Sequence, residues 1–232
     1  MTGEGPKPRQ LPFELGHEPA LSRDHLVVSP ANAAAVALVD RWPNWASPVA
    51  ILAGPTGAGK SHLASIWRAI ADAEPVAPAH IGTARRDPAR PVLVDAIEPG
   101  RFDQTALFHL INEVRQQGTF LLITSRRFPA AWGVTLPDLA SRLRAATLVE
   151  IGEPDDLLLS GVITKLFADR QVEVDSHVVR YLIARIERSL STAGKVVERL
   201  DRAALERKAP ITRALAAEIV GALDAGQGEL DV

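Results

Sequence analysis

The run Gly54-Pro55-Thr56-Gly57-Ala58-Gly59-Lys60-Ser61 has the residue types and spacing of a phosphate-binding loop. Its glycines let the backbone curl so that successive N–H groups face one anion, and a helix opening near Lys60 adds its positive end to the same point. Lys60 would then meet the β- and γ-phosphates of a nucleotide and Ser61 would ligate Mg2+, with His62 next in the same turn. An ordinary glycine-rich turn between a strand and a helix accounts for the glycines but not for the lysine and the serine. ATP or ADP with Mg2+ is therefore the expected cofactor.

A magnesium ion held by one serine needs a second ligand from a neighbouring strand end. Asp95, after Val92-Leu93-Val94, stands at such an end; the alternative is an aspartate that caps a turn. The next residue is Ala96, at the place where a hydrolytic site carries a second carboxylate to orient the attacking water. Alanine has nothing to orient it with, and the nearest carboxylate is Glu98, so slow intrinsic hydrolysis is expected.

These residues need a sheet to bring them together. Val49 to Gly54 is short and apolar, ends in Gly-Pro and reads as a buried parallel strand. The helix that follows Lys60 places Leu63, Ile66, Trp67 and Ile70 on one face. Residues 92–97 and 119–124 read as two more strands with an amphipathic helix from Asp103 to Gln117 between them, and a last short strand lies near Leu148 to Ile151. A further helix is expected from Ser29, a capping residue followed by proline. Strands alternating with helices imply an α/β fold with a parallel sheet flanked by helices. After Gly152-Glu153-Pro154 the strand pattern stops and four helices follow. The expected organisation is a flexible arm at 1–25, an α/β nucleotide-binding domain at 26–152, a small all-helical lid at 153–225 and a tail at 226–232.

Composition narrows the partners. With 26 Lys and Arg against 28 Asp and Glu, the net charge is −2, which gives no support for nonspecific DNA or membrane binding through the overall field. The absence of cysteine excludes disulfides, thiolate zinc sites and thiol catalysis. No run approaches the roughly 18 apolar residues of a membrane span, and no signal core opens the chain, so a cytoplasmic protein is expected.

The segments GPTGAGKSHLA, VLVDAIE, LLITSRRFP, LPDLASRLRAATLVEI and VERLDRAAL, in this order, resemble AAA+ proteins of the DnaA-related branch, and within it the Hda-like regulators. The resemblance covers roughly residues 10 to 222. It implies a sensor of the γ-phosphate at Thr124 or Ser125, and a trans-acting arginine finger in Leu139-Ala140-Ser141-Arg142-Leu143, with Arg142 the candidate and Arg144 its near neighbour. Its second sensor arginine falls on Gly194 here, with Lys195 and Arg188 the nearby cations. It further implies that Gln10, Leu11, Pro12, Phe13 and Leu15 form a peptide for the β sliding clamp; the alternative is a segment that packs on its own domain. The DNA-binding domain of DnaA is not found after the last expected helix, so binding of origin boxes is not expected.

The implied function is a regulator that binds the clamp and promotes hydrolysis of DnaA-bound ATP, with a homo-oligomer also open. The competing expectation is a self-sufficient ATPase such as a helicase loader or remodeller. A third, a small-molecule kinase, would place Arg85, Arg86 and Arg90 over the phosphates.

Overall fold

The computed structural model describes residues 26–227, with side chains as far as Leu223. The expected arm with Gln10, Leu11, Pro12, Phe13 and Leu15 lies outside the described residues, as does residue 228 onward.

Five strands, β1 (Val49–Ala53), β2 (Glu74–Pro75), β3 (Val92–Ile97), β4 (Leu121–Ser125) and β5 (Thr147–Glu150), form one parallel sheet in the order β2-β3-β4-β1-β5. Side chains alternate across a strand, and the two sheet faces divide accordingly. Ala50, Leu52, Leu93 and Leu122 point towards α1 (Ala33–Asp40) and α2 (Lys60–Ala71), while Val49, Ile51, Val92, Val94, Leu121 and Ile123 point towards α3 (Gln104–Gln117) and α4 (Pro137–Arg144). Both faces are covered, which is why β1 reads as an unbroken apolar run with every residue buried.

Four helices follow β5: α5 (Asp156–Asp169), α6 (Ser176–Ile183), α7 (Leu190–Arg207) and α8 (Arg213–Gln227). They bury a core of their own, built on Leu159, Ile163, Phe167, Val197 and Leu200. The cap residues of three of them are legible in the sequence: Asp155 accepts from the Leu158 amide, Asp175 from His177 and Ser189 from Thr192. α8 takes in the first two residues of the expected tail.

Three local expectations need correction. The helix expected from Ser29 starts at Ala33, because the Asn32 side chain folds back to accept the Ser29 N–H at 2.9 Å and to donate to Val27 O at 2.9 Å. The strand expected at 119–124 runs from Leu121 to Ser125. Ile70 is 51% exposed although it shares the helical stripe of Leu63, Ile66 and Trp67; at the last turn of α2, Ala71 and Ala73 take the core positions instead.

Candidate nucleotide-binding site

In a parallel sheet the carboxyl ends of the strands share one edge, and the helices leaving them present their amino ends there. β1 reaches this edge at Ala53 and passes into the loop 54–59, and α2 begins at Lys60. The turn is tight at its start: Gly54 donates its N–H to Ser125 O at 3.2 Å, and a Cβ on Gly54 would stand 2.2 Å from Ile151 O. Gly57 and Gly59 have φ of +75° and +96°, a backbone open to glycine at no steric cost. Pro55 and Thr56 are exposed at the crown of the loop, and Ala58 is buried beneath it.

Lys60 curls back over the loop and donates from Nζ to Gly54 O at 2.8 Å and Pro55 O at 2.6 Å. Burial pushes its ammonium below the ordinary value; repulsion from Arg126 adds to this, and Asp95 opposes it. Burial likewise lowers the pKa of the His62 imidazole, helped by Lys165 of α5.

Asp95 is the hub of the site. Its Oδ1 accepts from Ser61 Oγ at 3.2 Å and from Thr124 Oγ1 at short range, so three elements far apart in sequence meet at one carboxylate. Thr124 Oγ1 also accepts the Ala96 N–H at 2.7 Å. That amide belongs to a bulge: Ala96 has φ of +58°, and the pairing of β3 with β4 shifts register between Val94 and Ile97. Ser125, the other sensor candidate, is used internally, donating to Ile97 O at 3.0 Å and accepting from Trp132 Nε1 at 3.1 Å. Of the two, Thr124 is therefore the residue that faces Asp95.

Glu98 lies on the same edge, held by Arg101 at 3.4 Å and Arg126 at 3.9 Å. Two of the three arginines of the kinase expectation, Arg86 and Arg90, are engaged elsewhere, and Arg85 is exposed. Arg90 pairs with Asp72 at 2.7 Å and Glu74 at 3.1 Å, beyond the end of α2 opposite Lys60, and Arg86 pairs with Glu113 of α3.

The helical part closes on the phosphate loop through the start of α7. Leu190 donates its N–H to Gly57 O at 2.8 Å, and a Cβ on Gly57 would stand 2.1 Å from Ser189 Oγ. Gly194, one turn on, faces space: a Cβ there would meet nothing within 4 Å. Lys195 is exposed, and Arg188 is bound to Pro154 O at 3.1 Å and Asp156 at 2.7 Å.

Arg142 is half-buried on α4, in a cleft of about 420 Å³ shared with Asn112, Arg115 and Gln116 of α3, on the sheet face opposite α2. Arg144 is exposed. Sequence reasoning assigned no role to Arg115, Arg126, Ser189 or Leu190. The Arg126-Arg127 pair directly after an apolar strand was the available signal for Arg126; the others depend on tertiary packing.

The donor set fits a magnesium nucleotide. A cation, a hydroxyl and a carboxylate face a glycine turn at a helix amino end, and Mg2+ takes few protein ligands, with phosphate oxygens and water supplying the rest. Among the described residues, no group of three or more His, Cys, Asp or Glu side chains could hold a metal by itself, and no helix is long and apolar enough to cross a membrane.

No protein-family model matches the chain. The chain is 28% identical to the chromosomal replication initiator protein DnaA of Thermomicrobium roseum over 96% of its own length and 55% of that protein. It is 29% identical to an uncharacterized protein of Haemophilus influenzae over 47% of its length and 48% of that protein. It thus spans about half the length of these curated relatives. Among solved structures, domain III of Thermotoga maritima DnaA superposes with a TM-score of 0.74 at 19% identity, covering 87% of this chain and 95% of that one. AMPPCP-bound DnaA of Aquifex aeolicus gives 0.67 at 20% identity over 82% and 68%, and the Thermotoga maritima RuvB Holliday junction branch migration motor gives 0.62 at 17% over 83% and 67%. The fold is that of a DnaA-like AAA+ domain.

Proposed function

We propose that this chain holds ATP or ADP with Mg2+ and acts as a cytoplasmic, Hda-like regulator of replication initiation. It binds the β sliding clamp through Gln10, Leu11, Pro12, Phe13 and Leu15, docks on ATP-loaded DnaA and supplies Arg142 to the initiator's nucleotide. The observation that carries the nucleotide reading is the meeting of Lys60, Ser61, Asp95 and Thr124 at one strand edge. The likeness to DnaA over 96% of the chain supports the replication setting.

The chain's own residues divide the work. Lys60 offsets phosphate charge, Ser61 and Asp95 hold the metal, and Thr124 fixes the Asp95 carboxylate in direction. Bound Mg2+ neutralises phosphate charge and orients the phosphate chain. Ala96 has no carboxylate to position water and Gly194 no cation, so turnover by the free protein is slow. An arginine delivered by a second protein stabilises charge that develops in the transition state and accelerates hydrolysis about 10³- to 10⁵-fold in systems that use one. Arg142, half-buried beside Arg115 on the sheet face opposite α2, suits delivery to a partner.

Hydrolysis of DnaA-bound ATP, measured with this protein and DNA-loaded clamp, tests the reading. Wild type stimulates hydrolysis, Arg142→Ala loses the stimulation and Arg144→Ala keeps it. Equal stimulation by both variants would remove Arg142 from the mechanism. Glu98, at the same edge as Asp95, favours a second reading, a self-sufficient homo-oligomeric ATPase. Rapid turnover of the purified chain, lost in Glu98→Gln, would select it.

A further inference from the structure

The chain holds a single tyrosine, Tyr181 on α6, and two guanidiniums lie against it: Arg185 Cζ stands 5.3 Å and Arg213 Cζ 5.2 Å from the centroid of its ring. Arg185 follows the end of α6 and Arg213 opens α8, so the packing of these two helices brings the cations together. On α6 itself, Arg180 donates to His177 Nδ1 at 2.7 Å. A guanidinium only donates, so the imidazole nitrogen accepts and fixes the direction of Arg180. Arg180, Arg185 and Arg213 are all exposed, and among the described residues none of them is paired with a carboxylate. Three acids near them in sequence are used elsewhere: Asp175 caps α6, Glu187 accepts from Thr192 Oγ1 at 3.1 Å, and Glu218 is held by Arg207.

Like charges gathered on one face without counter-charge are unfavourable until an anion covers them. A ring that restrains a guanidinium lowers the freedom lost when its planar fork takes two oxygens of that anion. The same ring is half-buried and already occupied by two guanidiniums, so the base stacking on which single-strand binding relies is missing. None of the exposed large apolar residues Val28, Ile70, Leu148, Leu157 and Leu205 lies on α6 or at the start of α8. The surface therefore lacks the apolar anchor of a protein interface or of a helix lying in a membrane. Charge without such an anchor suits a phosphodiester backbone, and duplex DNA carries a dense row of these charges, one per about 1.7 Å of its axis. The net charge of −2 does not oppose this, because exposed charges more than about 8–10 Å away are largely screened by salt.

We propose that Arg180, Arg185 and Arg213 form a docking surface for the backbone of duplex DNA, on the helical part of the chain and independent of base sequence. The surface is separate from the loop 54–61 and requires no nucleotide there.

Fluorescence anisotropy of a labelled mixed-sequence duplex, titrated with the full chain at rising salt and without nucleotide, tests it. Each phosphate contact contributes about 0.9 to the fall of log affinity with log salt, so three contacts give a slope of about −2.7 and a loss of about 40-fold between ~50 and ~200 mM salt. Arg185→Ala with Arg213→Ala should bring the slope to about −0.9 and weaken binding at ~50 mM salt more than about tenfold. Arg185→Lys with Arg213→Lys should keep the slope, since both charges remain, and Tyr181→Phe should keep the affinity, since the ring remains. Arg68→Ala, which removes an exposed arginine from α2, is the control and should change neither. A wild-type chain that does not bind the duplex at low salt overturns the proposal, as does a double-alanine variant with native helix content and the wild-type slope. Tighter binding of a single strand of equal length overturns it in favour of base stacking. Equal displacement of the duplex by polyglutamate, or by vesicles containing phosphatidylserine, overturns it in favour of an acidic protein or a membrane surface.

Discussion

Replacing Thr124 by valine tests the geometry around Asp95 without reference to any ligand. Valine keeps the shape of a fully buried, β-branched residue and suits a central strand, so packing is nearly unchanged. What disappears is one oxygen with two roles, donor to Asp95 and acceptor from the Ala96 N–H at 2.7 Å. A hydrogen bond to a charged group is worth about 1.5–3 kcal/mol, and the part-buried bond from the amide of the exposed Ala96 adds about 0.5–1 kcal/mol. The two losses share one atom and overlap, so a destabilisation of about 2–3 kcal/mol is expected. Ser61→Ala is the control: its bond to Asp95 is 3.2 Å long and exposed, so its loss should cost under about 1 kcal/mol. Urea denaturation of the three proteins at neutral pH, with unchanged m-values, gives both numbers. If Thr124→Val costs less than about 1 kcal/mol, or no more than Ser61→Ala, the shared-oxygen arrangement is wrong.

Other perturbations follow from the same contacts. Ala96→Gly relieves a left-handed backbone that costs a non-glycine residue about 1–2 kcal/mol, against about 0.5–1 kcal/mol of added chain entropy, so a rise in Tm of about 1–4 °C is expected by calorimetry. Gly57→Ala meets both a φ of +75° and Ser189 Oγ; adding Ser189→Gly should relieve the steric part alone, and strictly additive losses in a double-mutant cycle would show that the two do not touch. The half-buried His62 has a pKa below its ordinary 6.5, so the unfolded chain takes up the proton first. Stability from neutral His62 is present above pH 6.5 and falls as pH drops through the folded value, and His62→Gln should flatten that slope in pH-dependent denaturation. In the arm, Leu11→Ala with Phe13→Ala should weaken capture by immobilised β clamp by removing apolar surface worth about 25 cal/mol per Å²; undiminished capture would assign the arm another role.

The α/β class and the phosphate loop could be read from the sequence because both are local in chain order. Val49 to Ala53 is apolar at every position since both faces of its strand are covered, and the loop 54–61 gathers its glycines, lysine and serine within one turn. Helix caps at Asp155, Asp175 and Ser189 are local in the same way. The two-residue strand Glu74–Pro75 is too short to carry a period, and Ile70 obeys the helical period yet faces solvent, because periodicity assigns a face without saying where the core beneath it ends. The choice between Thr124 and Ser125 had no sequence answer. Alternation sends them to opposite faces of β4, and the bulge at Ala96 on a different strand decides which one meets Asp95. Ser189 against Gly57, Arg126 near Glu98 and Arg115 beside Arg142 are likewise decided by packing. Each joins residues on separate elements, and a contact of that kind depends on how those elements stack, which no local pattern records.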